Sequence, residues 1–261
     1  MKQRTTYLLS AGAAFLSLIS VACGRGHAYA EEGLARMEQG KHTSALELFD
    51  RALRSNAQEP LALYGKGMLL AEEPITEQIA LSMLQQAVQQ TDLKEKHRVR
   101  AHLRIAEIYA RRKDKDEALQ SLSKVSGTAR TVGGDTVRKV AEIYLQLKEK
   151  DRARESITAF LDTHPQDEET EYFLLRLYVV EFKDIKSGHR LCQKVDWQKS
   201  QSPRYLLNCT RVSAASGDFA TAQKLVDLYV KRAGNPPKEV NDLREAIGRK
   251  RGKFEPVATD F

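Results

Sequence analysis

The chain repeats itself, and that repetition limits its fold more than any other feature. An alanine followed four residues later by a bulky apolar residue recurs as Ala45/Phe49, Ala80/Leu84, Ala118/Leu122, Ala153/Ile157 and Ala222/Val226, with a weaker copy at Ser187/Leu191. The six anchors lie 35, 38, 35, 34 and 35 residues apart. At this period each unit is one supersecondary structure that cannot bury its apolar face alone, so neighbours must stack. The stretch before each anchor repeats too. Gly33, Met68, Ala106, Ala141, Leu175 and Thr210 stand twelve residues earlier, Tyr109, Tyr144 and Tyr178 nine earlier, and Tyr29 and Tyr64 sixteen earlier. Gly40-Lys41 and Gly217-Asp218-Phe219 fall in turns, and Pro165 falls where a helix must stop. Each unit therefore reads helix, short turn, helix. A content of 30% charged and 7% aromatic residues suits a charged helical surface.

This pattern resembles the tetratricopeptide repeat across residues 27–236. The resemblance implies an all-α fold, a right-handed α-solenoid of about six helix hairpins with a concave groove. The spacing has a physical basis. A small residue lets two antiparallel helices approach closely, and the bulky residue one turn on fills the space beside it. After Asn235-Pro236-Pro237, residues 237–251 place Val240, Leu243 and Ile247 on one side, as a C-terminal capping helix requires. Residues 252–261 read as a flexible tail.

Residues 1–22 read as a signal peptide: Lys2 and Arg4 precede an uncharged apolar run from Tyr7 to Ala22 that is too short and too interrupted to span a bilayer. Ile19-Ser20-Val21-Ala22-Cys23 resembles the bacterial lipobox, which implies cleavage before Cys23 and lipid attachment to its thiol. Ser20 stands where that pattern carries leucine, and an ordinary secretion signal cleaved elsewhere is the alternative. Residues 23–26 would then be a lipidated tether. More than one acyl chain, at about 0.8 kcal/mol per buried methylene, anchors stably. Gly24 in place of aspartate after the cysteine points, by the same resemblance, to the outer membrane and the periplasm.

The formal charge of +7 would suggest nucleic acid in another compartment, but the expected location excludes that partner. Charge is also uneven: residues 23–92 carry 6 cations and 10 anions, and residues 93–130 carry 11 and 5. Arg111 and Arg112 belong to this basic stretch, and reversing their charge is expected to weaken capture of a partner or membrane. Histidines 27, 42, 97, 102, 164 and 189 are scattered, and no metal motif, phosphate loop, nucleophile elbow or dinucleotide fingerprint is present. The sequence implies no catalysis, no cofactor and no metal. Cys192 and Cys209, 17 residues apart, read first as two small apolar residues in helix packing, with a bridge as the alternative if their α-carbons lie within roughly 4.4 to 6.8 Å. Trp197 reads as core, and the Asn208-Cys209-Thr210 sequon lies inside a helix.

In the resembling family the first helix of each unit lines the groove. Its spacing, carried onto this chain, selects Leu34, Met37, Leu69, Leu103, Glu107, Arg138, Glu142, Tyr172, Arg176, Leu207 and Arg211. These begin apolar and end cationic, which suits a partner segment with apolar anchors and an acidic residue. The expectation is a membrane-tethered adaptor that binds an envelope protein. A small lipoprotein made almost wholly of such repeats resembles the pilotins of type IV pili, which assist secretin assembly. Adaptors of outer-membrane barrel assembly or of peptidoglycan hydrolases, and polysaccharide-export components, are the alternatives.

Overall fold

The computed structural model describes residues 24–126, 133–250, 252 and 254, so the signal segment and Cys23 lie outside the described residues. Every regular element described is helical, and the fold is of the all-α solenoid class built from helix hairpins. None of these helices is long and apolar enough to cross a membrane.

Two compact units divide at residues 129 and 130. The first holds α1 (24–38), α2 (His42–Ser55), α3 (Pro60–Leu70), α4 (Glu77–Gln89), α5 (Glu95–Arg112) and α6 (Lys115–Ser126). The second holds α7 (Gly134–Gln146), α8 (Lys150–Leu161), α9 (Glu168–Arg176), α10 (Ile185–Lys194), α11 (Pro203–Ala215), α12 (Phe219–Ala233) and α13 (Lys238–Gly248). Consecutive pairs form hairpins, and within each unit each hairpin packs on the next.

The anchors sit where close helix packing needs them. Ala45, Ala80, Ala118, Ala153 and Ala222 are wholly buried, as are Phe49, Leu84, Leu122, Ile157 and Val226 four residues later. The weak copy is shifted by one. Ser187 is half-buried, while Gly188 is buried so tightly that a Cβ there would lie 3.0 Å from Val179 Cγ2. Its bulky partner is Cys192, also wholly buried.

Backbone geometry fixes the same register. The turn inside a hairpin places one residue at positive φ five before the anchor: Gly40 (73°), Lys113 (67°), Lys148 (62°), Lys183 (56°) and Gly217 (87°). This left-handed residue lets the following amide close on a carbonyl five back, as Lys41 N–H does on Arg36 at 2.9 Å and Glu149 N–H on Tyr144 at 2.8 Å. At Asp184 the amide reaches six back, to Tyr178 at 2.8 Å. The extra residue is absorbed by a π-helical turn, Leu177–Glu181, that continues α9. A one-residue insertion also displaces the second repeat, where the 3₁₀ turn Pro74–Thr76 precedes α4. There Gly67, not Met68, is the small residue: a Cβ on it would come 2.9 Å from Leu84 Cγ.

Side-chain caps start most helices of the second unit. Asp167, Asp184 and Asp218 accept the amides of Thr170 (2.9 Å), Ser187 (3.0 Å) and Thr221 (3.0 Å), and Ser202 accepts that of Tyr205 (3.2 Å). Cys192 on α10 and Cys209 on α11 form a disulfide, with α-carbons 5.5 Å apart. This corrects the first reading of the two cysteines as unlinked apolar residues. Trp197 packs half-buried against the same cluster and donates its indole N–H to the Cys192 carbonyl at 3.2 Å. On α13, Val240 and Ile247 are buried and Leu243 packs beside them against the cluster of Ala222 and Val226.

Candidate partner-binding site

The first helices of successive hairpins touch one another within each unit, α3 with α5 and α7 with α9, so their side chains share one face. The residues selected from the sequence are distributed differently over the two units.

In the first unit, Leu34 and Met37 on α1 are half-buried against the core, and Leu69 is itself a core residue at 8% exposure. The one-residue insertion explains Leu69: family spacing counted through it lands one position too far along α3. Leu103 on α5 is half-buried, and Glu107 pairs with Arg104 at 3.0 Å. The sequence reading passed over a polar cluster in the same unit. Tyr64 on α3 is buried with its ring 4.8 Å from His97 on α5, and burial raises the phenol's pKa. His97 is pushed down to about 4, first by burial and then by Lys96, Arg100 and Lys94, so it is neutral at physiological pH.

Arg111 and Arg112 end α5, and both turn back to Glu77 at the start of α4. The ion pairs are 2.7 Å and 2.6 Å, and Arg112 also reaches Gln78 at 2.8 Å. Burial alone would raise the Glu77 carboxyl, but hydrogen bonds from Arg112 and Arg111 outweigh it and hold the pKa below the usual carboxylate range. These arginines link two helices, so charge reversal would act on packing first. Arg98 has a similar internal role, donating to the carbonyls of Val88 (2.5 Å), Gln90 (3.0 Å) and Leu93 (2.9 Å) around the C-terminus of α4.

In the second unit the first helices carry arginines at 138, 176, 204 and 211 together with the carboxylates of Asp135 and Glu142. Arg138 on α7 donates to Thr170 Oγ1 at 2.9 Å and pairs with Asp135 and Asp167. Glu142 is exposed and pairs with Lys139 at 3.3 Å. Tyr172 on α9 is buried; its hydroxyl accepts from Asn208 Nδ2 at 3.2 Å, and the Arg204 guanidinium lies 5.4 Å from its ring centre. Arg176 stands 5.8 Å from the Phe173 ring centre, Leu207 is half-buried against the cluster beneath α13, and Arg211 is half-exposed. Arg204 and Asn208, which the sequence does not single out, share the spacing of one helix face with Leu207 and Arg211. Among the described residues no group of three or more His, Cys, Asp or Glu side chains could hold a metal ion.

Comparison with known proteins agrees with this architecture. Tetratricopeptide-repeat family models match residues 31–76 and 100–126. No curated protein sequence matches the chain. Among solved structures, the Pseudomonas aeruginosa protein pilF superposes with a TM-score of 0.57 at 17% identity, over 87% of this chain and 98% of its own. The C-terminal part of a repeat-containing protein from Cytophaga hutchinsonii gives 0.63 at 15% identity, over 92% and 98%. YrrB, a tetratricopeptide protein with an unusual peptide-binding site, gives 0.50 at 14% identity, over 77% and 97%. At these identities the likeness is one of fold. The chain carries tetratricopeptide repeats, and its hairpins have the fold of tetratricopeptide structures.

Proposed function

We propose that the protein is a non-catalytic adaptor of a bacterial cell envelope, anchored in the outer membrane by lipid on Cys23 and facing the periplasm. It holds an extended segment of an envelope protein against its first-helix faces, and the specific partner we infer is a type IV pilus secretin. The observation that carries the binding role is the contact between successive first helices, which lets side chains from several repeats address one bound segment. The arginines at 138, 176, 204 and 211 in the second unit favour an acidic residue in that segment. The membrane and pilus parts of the reading rest on the leader sequence, Cys23 and an architecture of repeats over most of the chain. The fold likeness to pilF is consistent with them.

Photocrosslinkers placed at Leu103, Glu142 and Arg211 in piliated cells, followed by mass spectrometry, test the partner. A secretin adduct is expected, and its absence rejects the pilus reading. Recovery of a barrel-assembly protein or a peptidoglycan hydrolase would redirect it. Replacing Cys23 with serine is expected to move the protein from the membrane to the soluble fraction, and retention on the membrane would reject the lipid anchor.

A further inference from the structure

The second unit has two adjoining clefts walled by second helices. The larger, of ≈ 500 Å³, lies between α8 and α10 over α9, with Leu161, Leu174 and Leu191 as its apolar lining. The smaller, of ≈ 380 Å³, is bounded by the segment that joins α10 to α11. Pro165, Glu171 and Lys194 line both, so the clefts share a wall. On α9 and the π-helical turn that continues it, the cleft residues Glu171, Leu174 and Tyr178 form one stripe, whereas Tyr172 and Arg176 of the first-helix face lie on another.

The smaller cleft contains polar groups that the protein leaves unused. Ser200 lines it at 2% exposure, and its buried hydroxyl has no hydrogen-bond partner. Outside the lining of either cleft, the hydroxyl of wholly buried Tyr205 is also unpartnered and lies within electrostatic reach of Glu171 and Glu168. Glu168 is already engaged, accepting the amides of Gln201 (2.9 Å) and Ser202 (3.0 Å), and Lys199 pairs with Asp196 at 3.2 Å. The Glu171 carboxyl makes no hydrogen bond or ion pair among the described residues, and its backbone amide is bonded to the Asp167 carbonyl at 2.9 Å. Burial, then the neighbouring charges of Glu168 and Asp167, pushes its carboxyl up to about 7. A buried hydroxyl without a partner costs roughly 1 to 3 kcal/mol, and a carboxylate among like charges seeks a cation.

We propose that these clefts form a second docking site, separate from the first-helix face, which takes an arginine of a partner protein with an apolar residue beside it. The guanidinium sits against Glu171 and Ser200, and the apolar side chain lies among Leu161, Leu174 and Leu191. Arginine fits better than lysine because its planar fork can give two N–H bonds to a carboxylate and still reach a hydroxyl, and it is the more weakly hydrated cation. The proposal does not depend on the identity of the partner at the first-helix face.

Titration of the full chain with acetyl-leucyl-arginine amide, followed by NMR, tests it against the citrulline counterpart, which keeps the shape and loses the charge. Saturable shifts at Glu171, Ser200 and Leu174 are expected at about pH 8, with affinity at least about tenfold weaker for the citrulline peptide and for Glu171→Gln. Ser200→Ala should lower the affinity by a smaller factor. Acidification to about pH 5.5 should weaken binding by protonating Glu171, the clefts around it being lined also by Asp162, Glu168, Asp196, Arg190, Lys194 and Lys199. Equal affinity for the two peptides, unchanged affinity in Glu171→Gln, or no saturable shift would overturn the proposal. Should Glu171→Gln fail to fold, the peptide comparison and the pH profile of the unaltered protein still decide the matter.

Discussion

The ring of Phe49 occupies the space that a side chain on Gly65 would need: a Cβ at residue 65 would lie 2.2 Å from Phe49 Cζ. Gly33 approaches the other part of the ring, where a Cβ would come 2.6 Å from Cε1. The bulky residue of the first repeat is thus held between glycines of α1 and α3. Gly65→Ala should destabilise the first unit by about 2 kcal/mol through overpacking, although alanine favours the helix. Phe49→Leu should recover part of that loss in the double variant. Urea unfolding of the single and double variants checks both, and additive losses would show that the two sites are uncoupled.

The Cys192–Cys209 bridge joins the second helix of one hairpin to the first helix of the next, and both residues are wholly buried. Replacing both cysteines with alanine should cost about 3 kcal/mol, as expected for a closed loop of this size. Thiol labelling of the denatured, non-reduced Cys23→Ser protein should find no reactive cysteine. Two labelled thiols would show that the bridge is absent.

Lys148 holds a left-handed conformation, φ 62°, at a position where Gly40 and Gly217 serve other repeats. A side chain there is strained by its own carbonyl, and glycine is not. Lys148→Gly is expected to raise stability by about 0.5 to 1 kcal/mol, measured as an increase in the urea midpoint.

Glu77 binds both Arg111 and Arg112, and its folded pKa lies below the ordinary value of 4.5. A depressed carboxyl adds stability that is fully present above its unfolded pKa and is lost as pH falls through the folded one. Arg112→Ala should therefore cost about 1 to 2 kcal/mol at neutral pH, and Glu77→Gln should flatten the acid limb of the stability curve. Thermal melts from neutral to acid pH compare the variants.

Glu171 behaves in the opposite sense. Its folded pKa of about 7 lies above the ordinary 4.5, so the native state prefers the protonated form and loses stability as pH rises through that interval. Glu171→Gln should raise Tm above pH 7 and leave it nearly unchanged at acid pH, with a gain on the order of 1 kcal/mol after allowance for solvent screening. A Tm that does not respond to this substitution at alkaline pH would contradict the assigned direction.

The hairpins were legible in the sequence because the features that encode them are close together. An alanine, its bulky neighbour one turn later and the turn residue before it all lie within one helix and its entry, so Ala45, Ala118, Ala153 and Ala222 announce the packing without knowledge of the rest. Val240, Leu243 and Ile247 mark the covering helix for the same reason. The register failed only where an inserted residue was absorbed by an irregular turn: at Pro74–Thr76, which moved the small position to Gly67, and at Leu177–Glu181, which moved it to Gly188. Periodicity counts residues and cannot show which residue a π or 3₁₀ turn takes up.

What tertiary structure alone decided are relationships between side chains half a repeat to one repeat apart in the chain. Arg111 and Arg112 belong to a basic stretch that suggests capture of a partner or membrane, yet they close on Glu77, 34 and 35 residues earlier. Tyr172 is buried beneath Arg204 and Asn208 of the next repeat, and Cys192 meets Cys209. The unpaired carboxyl of Glu171 became visible only once α8, α10 and α11 had been folded around it. The sequence determined which elements form and that they must stack, because helix periodicity and the need to bury an apolar stripe are local. The fate of each charge depended on which neighbour stacking brought within a few ångströms, and that distance is a property of the fold.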